Sequence, residues 1–263
     1  MDYLALLGTV FYLLCGCLAI NKLLQPRSAF NKWILGTSSL ALIIHGIWLY
    51  QNIFLISGQN LPILNVLSLA SFVIALLSVL VSRRLNTGVL LPVVFAFNIL
   101  NFIAVAHLPG RYITHLESNP QVGAHIILAL LAYAILSIAS LFALQLAYLD
   151  YRLKSRKAPL TQLNLPPLMT LEKSLFQFIS VGFVLLSCAL ITGFIFLEDF
   201  FASGSAHKAI LSILAWIIYA VILWGHFSKG WRGRLIIYIT ILASSILSLA
   251  YFGSRFVKEI ILT

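Results

Sequence analysis

Polar residues in this chain come in short bursts between long apolar runs. Eight runs stand out, at about residues 3–20, 33–50, 62–82, 88–107, 122–151, 174–197, 208–227 and 235–253. Most are near the roughly 20 residues that a helix needs to cross about 30 Å of hydrocarbon. A backbone in lipid must satisfy its own N–H and C=O groups, so each run predicts a helix. The fifth run is longer and predicts a helix that projects past the bilayer at Arg152, Lys154, Arg156 and Lys157. The pattern gives an all-α polytopic integral membrane protein, read as a single transmembrane domain over residues 1–263. The sizeable loop at 158–173 is proline-rich and too short for a folded domain.

Composition strengthens this picture. The chain is 61% hydrophobic and only 9% charged, against roughly 45–50% and 25% in a soluble domain. Its mean hydropathy is +1.03. A net charge of +10 raises the question of nucleic acid, but the Lys and Arg residues are spread in short clusters between the runs. Alternate loops collect thirteen of the seventeen basic residues. By the positive-inside rule those loops face the cytoplasm, so both termini are expected on the periplasmic side. The expected location is a bacterial inner membrane, with the lipid bilayer as the first partner and no nucleic acid. The start, MDYLALLGTVFYLLCGCLAI, lacks a basic n-region and an A-x-A-like site, so it reads as a retained helix.

The candidate chemistry is carried by six histidines. The run near 208–227 has an imidazole at each end, His207 and His226, followed by Lys229, Arg232 and Arg234. His107 closes the fourth run and His125 opens the fifth. His45 lies about 12 residues, roughly 18 Å, from the inner end of the second. His115 falls in a loop. Imidazoles at membrane depth face a partner or a cavity, and imidazole is a common axial ligand of haem iron. A histidine that only hydrogen-bonds a neighbouring helix is the competing reading for each. Asn98, Asn101, Gln145 and Gln177 read as interhelical partners, and most tryptophans as interfacial anchors. No Asp or Glu lies mid-span, which argues against a proton-driven transporter. Cys15, Cys17 and Cys188 read as free apolar thiols, and no Cys-x-x-Cys-His is present for covalent haem.

Three stretches of the second half carry a family resemblance. They are HIILALLAYAILSIASLFALQLAY from His125, LPPLMTLEKSLFQFISVGFVLLSCALITG from Leu165, and AWIIYAVILWGHFSKGWRG from Ala215. In order and spacing they resemble the cytochrome c assembly family, the CcsA/HemX-like membrane proteins, and within it the bacterial inner-membrane YpjD branch. The resemblance implies non-covalent haem b in a cytochrome maturation setting, with other maturation or membrane proteins as partners. By position, His125 resembles the family's outer-face haem histidine and His226 its transmembrane one. His45 is the candidate for a further axial ligand, and His107 and His207 are secondary candidates. The family's assembly members carry a Trp-rich WWD segment before the seventh helix; here FLEDFFASGSAHKAIL stands in that place, and no histidine follows Phe252-Gly253. The resemblance therefore implies a haem-binding or regulatory relative and not an enzyme. The alternatives are a non-haem scaffold or regulatory subunit, or a small-solute permease. The haem reading expects imidazoles from separate spans to converge on a shared cavity.

Overall fold

The computed structural model describes residues 3–24, 32–56, 58–85, 87, 89–108, 110–155, 166–196 and 206–256. Eight long helices follow one another: α1 (Tyr3–Leu24), α2 (Lys32–Ile53), α3 (Ile63–Ser82), α4 (Leu90–His107), α5 (Pro120–Ser155), α6 (Leu168–Phe196), α7 (Ala206–Lys229) and α8 (Arg234–Ser248). Counting the π turn Leu249–Gly253 that extends α8, all eight are long and apolar enough to cross a membrane. Prolines mark two of the starts. Pro120 opens α5 and Pro92 sits in the first turn of α4, where a missing N–H costs nothing.

The eight expected runs are all helices, and the differences lie at their ends. α6 begins at Leu168, so residues 168–173 of the expected loop are its first turns. α4 begins at Leu90, two residues later than expected. Glu198, Asp199 and the start of the 158–173 loop lie outside the described residues. The uncharged connection after α2 contains structure that hydropathy does not announce. Strands β1 (Phe54–Leu55), β2 (Gly58–Asn60) and β3 (Ile113–Thr114) form an antiparallel sheet in that order. Leu55 pairs with Gly58, and Asn60 with Ile113. The Asn60 side chain ties the sheet further, its Oδ1 accepting the Tyr112 N–H at 2.9 Å.

The chain groups into two compact units. Unit 1 is Met1–Thr114 with Tyr148–Leu168, and unit 2 is His115–Ala147 with Met169–Thr263. In unit 1, α1 packs on α2 and α4, and α3 on α2 and α4. Its core holds Tyr12, Trp48, Phe95 and Phe102, all buried. The opposite faces expose Leu6, Leu13, Ile43 and Ile103, the apolar outside that a bilayer covers. In unit 2, α7 packs on α8 and on the π turn. Phe142 stacks on Phe178, and Phe183 on Trp216, whose indole N–H donates to Ser187 Oγ at 2.7 Å. The π turn brings Tyr251 onto Tyr133, with ring centroids 5.1 Å apart.

Candidate functional site

His45 stands on the buried face of α2 and is 0% exposed. Its Nδ1 lies 3.0 Å from the Tyr12 hydroxyl of α1, and its Nε2 lies 2.9 Å from Ser68 Oγ of α3. Phe102 and Phe72 flank the ring at centroid distances of 4.6 and 5.3 Å. Both nitrogens are therefore engaged, and aromatic rings crowd the imidazole. In this arrangement His45 clamps three helices and offers iron no nitrogen.

His125 is different. It stands near the start of α5, half-buried. Its Nδ1 lies 2.9 Å from the Ala189 carbonyl of α6 and 3.3 Å from Thr192 Oγ1. A carbonyl only accepts, so Nδ1 must carry the proton. The lone pair of the neutral ring then sits on Nε2, which has no hydrogen bond among the described residues.

His226 reaches the same tautomer by another route. α7 ends at Gly230, whose φ of +65° suits glycine, and the Gly230 N–H donates to the His226 carbonyl at 3.1 Å. The chain then folds back, and the Trp231 N–H donates to the Gly225 carbonyl at 3.0 Å. The Trp231 ring covers Gly225 so closely that a Cβ there would collide with it. This turn presents the Trp231 carbonyl to His226 Nδ1 at 3.2 Å. Phe176 of α6 stacks on the imidazole at 3.4 Å between centroids and 16° between planes. Again Nδ1–H donates to a carbonyl, and Nε2 keeps its lone pair. Arg232 of the same turn lies 3.9 Å from Glu172 of α6, and Lys229 sits over the Trp224 ring.

The remaining histidines sit at helix ends or in a loop. His107 donates Nδ1–H to the Ile103 carbonyl of its own helix at 2.8 Å. It borders a cavity of about 280 Å³ in unit 1, with Trp48, Asn52, Asn60 and Asn65 among the other walls. His207 is exposed at the second position of α7. His115 pairs with Glu117 at 3.0 Å on the surface.

These placements correct the expectation of one shared cavity. His125 is anchored at Ala189 and His226 against Phe176, thirteen residues apart on α6, which is roughly 20 Å along the axis. The two rings serve opposite ends of unit 2 and cannot ligate one iron. His45 is sealed within unit 1. The sequence named these histidines but not their partners, because Tyr12, Ser68, Ala189 and Phe176 come from distant segments. The fold-back at Trp231 had a visible signal in the glycines at 230 and 233. Among the described residues no three His, Cys, Asp or Glu side chains group to hold a metal ion. The Nε2 lone pairs of His125 and His226 would hold the iron of a macrocycle that brings its own remaining ligands. An imidazole whose other nitrogen donates to a backbone carbonyl is oriented and made a better ligand.

Comparison with known proteins adds the following. The family description "Cytochrome C assembly protein" matches residues 33–262. The chain is 41% identical over 263 residues to the Inner membrane protein YpjD of Escherichia coli strain K12, covering 99% of this chain and all of that protein. It is 28% identical over 96 residues to the Cytochrome c biogenesis protein CcsA of Prochlorococcus marinus strain MIT 9303, covering 36% of this chain and 30% of that protein. No solved structure matches.

Proposed function

The chain belongs to the cytochrome c assembly protein family and is a multi-pass inner-membrane protein; from that premise we propose that it binds haem b without covalent attachment and acts in haem handling, as a non-enzymatic or regulatory member. Both termini face the periplasm in this reading, as the loop charges direct. One observation carries the proposal. His125 and His226 each bind a backbone carbonyl through Nδ1–H and leave Nε2 to a metal. His125 would hold haem at the Ala189–Thr192 end of α6, and His226 at the Phe176 end. Bound haem would supply an iron with exchangeable axial positions. The chain's own residues do the rest: Ala189, Thr192 and the Trp231 turn fix the ring orientations, and Phe176 holds the second imidazole flat. Lys229 and Arg232, near His226 in sequence, supply positive charge suited to haem carboxylates. In this reading its partners are other maturation or membrane proteins.

Purification in detergent and a pyridine-haemochrome spectrum test this reading. The expected result is a haem signal that falls in His125→Ala and in His226→Ala. No haem above background, before or after reconstitution, overturns it. A scaffold reading is favoured by one observation, the two-sided lock on His45. Under that reading the same alanines change stability alone.

A further inference from the structure

Unit 1 contains a column of polar groups that the haem reading leaves unused. On α3, Asn65, Ser68, Ser71, Ser78 and Ser82 are all buried. Their spacings of three, three, seven and four keep them on one face. From Asn65 to Ser82 the column rises roughly 25 Å, close to the thickness of a hydrocarbon core. On α4, Asn98 and Asn101 are buried one turn apart. Asn98 Nδ2 donates to the Val94 carbonyl at 2.9 Å and reaches the Ser71 carbonyl at 3.5 Å. Asn98 Oδ1, both amide atoms of Asn101, and Ser78 Oγ are shut from solvent with no partner among the described residues.

Such atoms are expensive to bury unpaired, and waters with two to four polar partners suit them. One end of the column opens at the cavity bordered by Asn52, Asn65 and His107. Seven residues below the cavity walls at Ala5 and Asn52 stand Tyr12 and His45. There the chain Tyr12–His45–Ser68 is continuous at 3.0 and 2.9 Å. The Ser71 hydroxyl donates to the Ser68 carbonyl at 2.9 Å, and Asn98 reaches the Ser71 carbonyl; carbonyls only accept, so from the Ser68 hydroxyl a proton must continue on water towards Asn98. Among the described residues no Asp, Glu, Lys or Arg is buried. The titratable groups at the relay are His45, Tyr12 and the neighbouring buried Cys15.

We propose that unit 1 conducts protons along this column, from the asparagine-lined cavity through Tyr12, His45 and Ser68 to water held by Asn98, Asn101 and Ser78. The step balances simply. One proton is added at one ring nitrogen of His45, one leaves from the other, and the imidazole changes tautomer. Return to the first tautomer requires the ring to turn within its cage of Phe72, Phe102 and Trp48. The cage therefore throttles the flux, which keeps such a path compatible with a membrane that must hold a proton gradient.

The test uses the full-length protein in liposomes loaded with a pH-sensitive dye, driven by a valinomycin–potassium potential. Wild type is expected to carry protons above the protein-free rate. Tyr12→Phe, which keeps the ring and removes the hydroxyl, is expected to lower that flux by at least roughly tenfold, because a hydrogen-bonded step is lost. Ser68→Ala provides the same test on the other nitrogen if the first variant folds poorly. A wild-type flux at the protein-free level overturns the proposal. So does an unchanged flux in a folded Tyr12→Phe or Ser68→Ala protein, and so does a matching leak of Na⁺ or glucose, which marks a general pore.

Discussion

His45 of unit 1 differs from His125 and His226 of unit 2 in what it leaves free. In unit 1, His45 spends both ring nitrogens on hydroxyls of neighbouring helices and packs against Phe102 and Phe72. In unit 2, His125 and His226 spend only Nδ1, each on a backbone carbonyl. Hydroxyls donate or accept, so they hold either tautomer of His45. Carbonyls accept alone, so they select one tautomer and aim the remaining lone pair. In the haem proposal, the chemistry of the atoms facing the ring nitrogens, not depth in the membrane, sets His45 apart from His125 and His226.

The largest effect that tests this contrast is on haem. His125→Ala or His226→Ala removes a ring already set for ligation, and each is expected to lower haem occupancy at its end of unit 2 by more than roughly tenfold. Pyridine-haemochrome titration of each variant, and of the double variant, reads this directly. Because the two rings lie at opposite ends of α6, the losses should be independent. Complete loss from either single change would join the two sites and break the comparison within unit 2.

The next effect is on stability. His45→Ala leaves the Tyr12 and Ser68 hydroxyls without their partner and opens a space in the core. It is expected to cost about 3 kcal/mol, from unpaired hydroxyls and a cavity together. Thermal unfolding in detergent, followed by circular dichroism, measures it. Haem bound per folded molecule should stay at the wild-type level. A selective loss of haem would place His45 among the ligands after all.

Much of the architecture was legible because the hydrophobic period is long and strong. Eight runs became eight helices, and the helix with histidines at its two ends is α7 with His207 and His226. What the sequence hid is held together by distant residues. Tyr12 and Ser68 are 33 and 23 positions from His45, and nothing local marks them as its partners. The sheet escaped notice because β1 and β3 have two residues each, too few for any alternation. The first turns of α6, LMTLEK, carry two charges and read as loop, although the described helix starts there.

A smaller effect tests the turn that aims His226. Gly225→Ala places a methyl where the Trp231 ring lies, so the fold-back must move. The expected cost is about 1–3 kcal/mol, typical of overpacking. Haem affinity at the His226 end should fall while that at the His125 end stays. Quenching of tryptophan fluorescence reports whether Trp231 has left its place. An unchanged affinity with a displaced Trp231 would show that its carbonyl does not orient the imidazole.

The smallest effect concerns Thr192. Its hydroxyl lies 3.3 Å from His125 Nδ1, while the Ala189 carbonyl holds the same nitrogen at 2.9 Å. The Thr192 hydroxyl also donates to carbonyls of its own helix, at 2.9 Å to Cys188 and 3.0 Å to Ala189. It is therefore a secondary acceptor for the imidazole, and it draws on the oxygen that His125 uses. Thr192→Val keeps the shape and frees the Ala189 carbonyl from that competition. Stability should change by less than about 1 kcal/mol, as for interhelical hydrogen bonds in membranes. Haem titration should show an affinity within a few-fold of wild type, because a single carbonyl is enough to fix the tautomer. A loss as large as that of His125→Ala would mean that the hydroxyl, not the carbonyl, sets the ring. The distinction between His45 and His125 would then no longer rest on carbonyl against hydroxyl.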